Sequence, residues 1–193
     1  VFVATVGLFG GAWAEVKQAL NSRVSMDVPA DYGVSTRFAG FQHDRLGVSY
    51  VVNEFPSEAY ASIETGLTAE ALQQRGIVFV SRATLKRDDP HIYIRARQNA
   101  GGQPFEKFFL VFKTPDATVL VSANIPQRAI ERGDVSVTSI ESTLQSAQLA
   151  EATKLQPLFV LKSPGRFKAA GRVAGTAEAY TLSGRLTPGA DGK

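Results

Sequence analysis

Apolar and polar residues alternate along several stretches of the chain, and this period of two predicts β-strands. The segment 24–28 alternates in this way and ends at Pro29, and the segment 46–55 is rich in β-branched and aromatic residues. Four similar segments follow one another with turn residues at each junction: 77–87, 92–98, 105–114 and 118–125. The simplest arrangement of these four segments is an antiparallel meander.

Helical spacing of apolar residues predicts three short helices around these strands. Ser57 is a suitable N-cap for 58–65, and Thr68 for 69–75, where Gly76 follows as a stop. Asp134 opens a third helix that extends to Ala147. Together these elements predict an α+β fold, in which helices flank an antiparallel sheet.

The first hairpin of the meander is predicted to separate apolar from cationic side chains. If Arg87 pairs with Ile92 across the loop 88–91, directly opposite residues share a face. One face then holds Phe79, Ser81, Ala83, Leu85, Ile92, Ile94 and Ala96. The other holds Arg82, Thr84, Lys86, Tyr93, Arg95 and Arg97. We predict that the cationic face binds an anionic partner; its residues are Arg82, Lys86, Tyr93, Arg95 and Arg97. Lys107 and Lys113 could extend this face. The alternative is that this side of the sheet simply faces solvent.

The formal net charge of +3 comes from the end of the chain. Residues 15–149 carry 14 basic and 15 acidic residues, whereas 150–193 carry 7 and 3. Nucleic-acid-binding domains concentrate Lys and Arg with stacking aromatics on one face, and the sequence has no such run. We therefore expect no nucleic-acid partner.

Residues 1–14 are uncharged, mostly apolar or small, and end in Ala12-Trp13-Ala14. This pattern is typical of the apolar region and cleavage site of a secretory signal. A retained membrane anchor is the alternative, although a helix needs about 20 residues to span a bilayer. The chain has no cysteine, so disulfides and cysteine-ligated metals are excluded. We expect an exported protein of the bacterial periplasm or cell envelope, with a mature chain starting near Glu15.

Residues 150–193 differ in character, because proline and glycine interrupt short apolar pieces. The segment is too short to complete a separate domain. Its Arg166-Phe167, Gly171 and Tyr180 resemble Arg37-Phe38, Gly40 and Tyr50 near the start of the main domain. We interpret it as a basic tail or the start of a truncated second repeat, following a signal segment at 1–14 and an α/β domain at 15–149.

Four local patterns resemble exported bacterial proteins of the PsbP/Mog-like superfamily: FAGF at 38–41, VVNEFP at 51–56, LTAEAL at 67–72 and RGI at 75–77. The resemblance covers about 24–149. It implies an α/β/α sandwich built on an antiparallel sheet, in a family whose members are largely non-enzymatic binding, assembly or envelope-stress proteins. It supplies no catalytic residues.

Candidate chemistry is sparse along the sequence. His43 and His91 each stand beside acidic residues in a predicted loop, but the sequence lacks G-x-S-x-G. Asp88, Asp89 and His91 could contact a divalent cation, yet their spacing matches neither an EF-hand nor H-E-x-x-H. We predict no catalytic residue, cofactor or metal site.

The sequence thus favours an exported non-enzymatic module that binds a protein or an anionic ligand at the cell envelope, with peripheral membrane contact as an option. The alternative is a hydrolase-type enzyme with a noncanonical site. Such an enzyme should bring His43 or His91 together with a carboxylate and a hydroxyl in one pocket.

Overall fold

The computed structural model describes residues 14–150, 161–173 and 177–184. Its strands are β1 (Ala14–Gln18), β2 (Val24–Pro29), β3 (Gly33–Val34), β4 (Gly40–His43), β5 (Val48–Phe55), β6 (Ile77–Ala83), β7 (His91–Ala100), β8 (Gln103–Lys113), β9 (Thr118–Pro126), β10 (Gln148–Leu149), β11 (Lys168–Val173) and β12 (Ala177–Thr181). Its helices are α1 (Ala59–Thr65), α2 (Ala69–Gln73), α3 (Gln127–Glu131) and α4 (Val137–Gln145).

Seven strands form the main sheet in the order β3-β4-β5-β9-β8-β7-β6, and every neighbouring pair is antiparallel. Strands β6 to β9 are consecutive neighbours, so the predicted meander is confirmed. A small sheet has the order β1-β2-β10, and β11 pairs with β12. The predicted α+β class, an antiparallel sheet with flanking helices, is confirmed.

Two apolar clusters occupy opposite faces of the main sheet. The larger cluster joins the face that carries Phe41, Tyr50 and Phe108 to β2, α3 and α4. We call this the inner face. The smaller cluster joins the face that carries Ile94 and Phe109 to α1 and α2, and we call this the outer face. Layers on both sides of the sheet give the sandwich that the resemblance implied.

The predicted register of the first hairpin is wrong. Ala83, not Arg87, is the last residue of β6, and it pairs with Tyr93. The register also shifts between Phe79 and Ser81, which leaves an extra residue in β6. Because one extra residue turns the following side chains to the opposite face, Arg82 shares a face with Ile94 rather than with Arg95.

Several element boundaries also differ from the prediction. Ser136, rather than Asp134, caps α4, since its side chain accepts a hydrogen bond from the Ser139 N–H. Thr68 caps α2 as predicted, but Ser57 does not cap α1. The sequence analysis missed seven short elements: β1, β3, β4, α3, β10, β11 and β12.

Residues 1–13 of the predicted signal segment and much of the basic tail lie outside the described residues, whereas Ala14 is the first residue of β1. In the described part of the tail, β11 and β12 pair in antiparallel orientation. Among the described residues, no helix has the length and hydrophobicity needed to cross a membrane.

Candidate functional site

The structure distributes the five residues of the predicted cationic face over three places. Tyr93, Arg95 and Arg97 share the inner face of β7. Arg82 lies on the outer face and pairs with Glu64 of α1 at 2.7 Å. Lys86 is exposed in the loop after β6. Only the β7 residues can therefore act together, and Arg95 and Arg97 are the cations among them.

Arg95 is half-buried and carries an unpaired guanidinium group. Its Cζ lies 5.3 Å from the centroid of the Phe108 ring, which is directly opposite on β8. Its Nε is buried, and in the described part of the chain the side chain has neither a hydrogen bond nor a salt bridge. Because a buried donor without an acceptor costs free energy, the Nε group of Arg95 is unfavourably placed in this arrangement.

Arg97 is the second cation of this corner of the sheet. Its Nε donates to Glu106 Oε1 at 2.6 Å, across the β7–β8 pair. The Arg97 side chain is 61% exposed and that of Glu106 is 8% exposed. Glu106 Oε2 is buried without a partner. Arg95, Arg97 and Glu106 together carry one net positive charge, and we call them, with Phe108, the arginine corner.

Tyr93 supports this corner from within the core and is not exposed to a ligand. It is 1% exposed, and its hydroxyl donates to Glu141 Oε1 of α4 at 2.8 Å. Burial, followed by the Glu141 carboxylate, raises the pKa of Tyr93. The phenol is therefore a neutral hydrogen-bond donor that ties α4 to β7.

His43 is buried, and neighbouring groups engage both of its ring nitrogens. Nε2 lies 3.1 Å from Asp31 Oδ2, and Nδ1 accepts the Leu46 N–H at 3.3 Å. The Tyr32 ring stands edge-on to the imidazole at 5.3 Å. The histidine fixes the turn after β4, and neither nitrogen is directed at a hydroxyl in this arrangement.

His91 and the neighbouring aspartates likewise hold a loop. His91 Nε2 accepts the Leu85 N–H at 3.1 Å, and Nδ1 lies 2.9 Å from the Asp89 carbonyl oxygen. The Asp89 carboxylate binds Arg87. Within 14–150, 161–173 and 177–184, no three His, Asp or Glu side chains are grouped to hold a metal ion.

The described residues also form two shallow pockets on either side of Phe38. One of about 210 Å³ is lined by Asn21, Thr36 and Asn53. The other, of about 340 Å³, is lined by Gln42, His43, Asp44 and Ser49. A histidine, a carboxylate and a hydroxyl therefore do share one pocket, but Asp31 and the Leu46 N–H engage both ring nitrogens of His43. The sequence analysis noted the segments 38–41 and 51–56 only as structural patterns. It also missed Glu106 and Phe108, which the register places beside Arg97 and Arg95. The correct register between β7 and β8 would have identified Glu106 and Phe108 as neighbours of the two arginines.

No protein-family model matches the chain, and a comparison with curated proteins gives no match. Solved structures similar to it include PsbP (CyanoP) of Synechocystis sp. PCC 6803, at 12% identity and a TM-score of 0.46, over 76% of this chain and 98% of that one. LpqN, involved in cell envelope biogenesis of Mycobacterium tuberculosis, is similar at 11% identity and a TM-score of 0.45, over 74% and 88% of the two chains.

A protein of Bacteroides thetaiotaomicron VPI-5482 is similar at 10% identity and a TM-score of 0.43, over 72% of this chain. The chain spans about half the length of that protein, 49%. All three likenesses concern the fold alone. A PsbP protein is among the solved structures similar to this chain.

Proposed function

We propose that this protein is a non-enzymatic binding module that recognises an anionic group through Arg95 and Arg97. The observation that supports this most directly is the Arg95 guanidinium, which has no counterion or hydrogen-bond acceptor among the described residues. Arginine forms paired hydrogen bonds to carboxylate, phosphate and sulfate groups, and it keeps its charge at any physiological pH.

The surroundings of Arg95 make it a prepared site rather than a freely moving surface charge. The Phe108 ring supports the guanidinium at 5.3 Å, so less side-chain freedom is lost when a ligand binds. Glu106 neutralises one of the two arginines, which leaves a single charge for the ligand. This arrangement fits one anionic group.

We place this binding at the bacterial cell envelope. The uncharged apolar segment 1–14, with Ala12 and Ala14 at signal-like positions, supports export. The absence of cysteine is compatible with an oxidising periplasm.

Replacing both Ala12 and Ala14 with leucine is expected to prevent cleavage after Ala14, because signal peptidases require small residues at these two positions. Intact-mass measurement of the protein from fractionated cells tests this. The unchanged sequence should give a species that starts at Glu15, and the double variant an uncleaved one. A wild-type protein that retains residues 1–14 would contradict the export proposal.

Arg95→Gln is expected to weaken the binding of poly-L-glutamate by about tenfold, since a hydrogen-bonded charge is lost. Isothermal titration at low salt measures the affinity. Lys113→Gln is the matched control: it removes the same charge from an exposed residue of β8 that lies outside the arginine corner. Equal affinities of Arg95→Gln and the unchanged protein would overturn the proposal, as would an equal loss in the control.

A further inference from the structure

The smaller pocket beside Phe38 brings together three separate parts of the chain. Asn53 comes from β5, Asn21 from the turn between β1 and β2, and Thr36 from the turn between β3 and β4. Strand pairing holds the pocket floor rigid, because Val52 N–H donates to the Ala39 carbonyl at 2.8 Å. The pocket is therefore built on fixed backbone rather than on a loop alone.

The polar side chains of this pocket have no hydrogen-bond partner among the described residues. In the described part of the chain, the carboxamides of Asn21 and Asn53 and the hydroxyl of Thr36 make no hydrogen bond. The larger pocket differs, because Gln42 contacts both Arg37 and Asp44, and Ser49 accepts from Asn124. The polar side chains of the smaller pocket are thus not engaged by the described residues, and they are accessible to a ligand.

The lining of the smaller pocket identifies a ligand class. Amide and hydroxyl groups each offer both a donor and an acceptor, which matches adjacent hydroxyl groups of a ligand. The half-buried Phe38 ring supplies an apolar wall, and Val51 lies in the same lining. The one charged lining residue, Arg37, is directed to Gln42 and to Asp44, 3.6 Å away. The site therefore offers neutral hydrogen bonds and an aromatic surface.

We propose that this pocket binds one ring of a neutral saccharide, with Asn21, Thr36 and Asn53 contacting its hydroxyl groups and Phe38 packing against its C–H face. The volume of about 210 Å³ lies below the roughly 300–1,000 Å³ of sites for drug-sized ligands and therefore suits a single ring. The site lies apart from the arginine corner, since Asn53 and Val51 belong to the outer face of the sheet. It is a second binding function of the same module.

Titration with D-glucose, D-galactose and D-mannose, followed by NMR of the side-chain amide signals, tests this proposal. At least one hexose should shift the Asn21 and Asn53 carboxamide signals in a saturable way. Asn53→Ala should lower the affinity for that hexose by about three- to tenfold, because neutral hydrogen bonds are lost. Phe38→Leu should also lower this affinity, because the aromatic surface is lost although the side chain stays apolar.

Asn99→Ala is the matched control, because Asn99 is an exposed residue at the end of β7, away from the pocket. It should leave the hexose affinity unchanged, and thermal melts should show that each variant is folded. N-acetylglycinamide serves as a mimic of a peptide group. The proposal is overturned if no hexose shifts these signals, if Asn53→Ala binds as tightly as the unchanged protein, or if only the peptide mimic binds.

Discussion

Gly40→Ala is expected to lower the free energy of unfolding by about 4 kcal/mol. Gly40 has a φ of +143°, which residues with a side chain rarely adopt. A Cβ built on it would lie 1.9 Å from the Tyr50 carbonyl oxygen, an atom of the neighbouring strand β5. Since backbone atoms of a central strand have little room to move, either β4 separates from β5 or the clash remains.

Urea unfolding followed by circular dichroism measures this loss. Gly33→Ala is the control, because Gly33 lies in the adjacent strand β3 and a Cβ there would meet no atom within 4 Å. We expect the control to change stability by less than about 1 kcal/mol. A Gly40→Ala protein as stable as the Gly33→Ala protein would show that this part of the sheet differs from the structure described.

Arg87→Met is expected to lower the free energy of unfolding by about 3 kcal/mol. The Arg87 side chain is 8% exposed, and its Nε donates to Asp89 Oδ1 at 2.8 Å. Its Nη1 donates to the carbonyls of Gln145 and Ala147, at 2.9 and 2.7 Å. Methionine replaces most of the packing against Phe112 but leaves the carboxylate and both carbonyls without a donor.

Two further variants test whether the loss comes from the Arg87 charge and its partners. Lys86→Met makes the same chemical change at the exposed neighbour and should leave stability within about 0.5 kcal/mol. Adding Asp89→Asn to Arg87→Met should recover part of the loss, because the unpaired charge is removed. If Arg87→Met unfolds at the same urea concentration as Lys86→Met, the Arg87 side chain does not hold this loop to the end of α4.

Local patterns in the sequence were sufficient for the parts of the fold that depend on alternation and turn chemistry. The four meander segments, the Thr68 cap and the class of the sheet follow from such patterns. The short strands β3 and β10, of two residues each, have no period to detect. They exist because tertiary contacts bring them beside longer strands.

The candidate site was harder to predict, because its residues come together only through the pairing register of neighbouring strands. Arg95 and Arg97 were placed correctly on one face with Tyr93, since β7 alternates regularly. Arg82 was assigned to the same face because a bulge leaves no mark in the pattern of apolar residues. The pocket beside Phe38 depends on two turns that meet at β5, and sequence spacing does not show that meeting.

The pairing of β2 with β10 determines when the fold can be completed. Val24, near the start of the described chain, pairs with Leu149, and the Ala150 N–H donates to the Arg23 carbonyl. The central pair β5–β9 also joins segments that are distant in sequence. Contacts between distant segments slow folding, because bringing the two ends of a long intervening segment together costs conformational entropy. In a growing chain, the β5–β9 pair therefore cannot form before β9 has been synthesised, and the β2–β10 pair cannot form before Leu149 has been added.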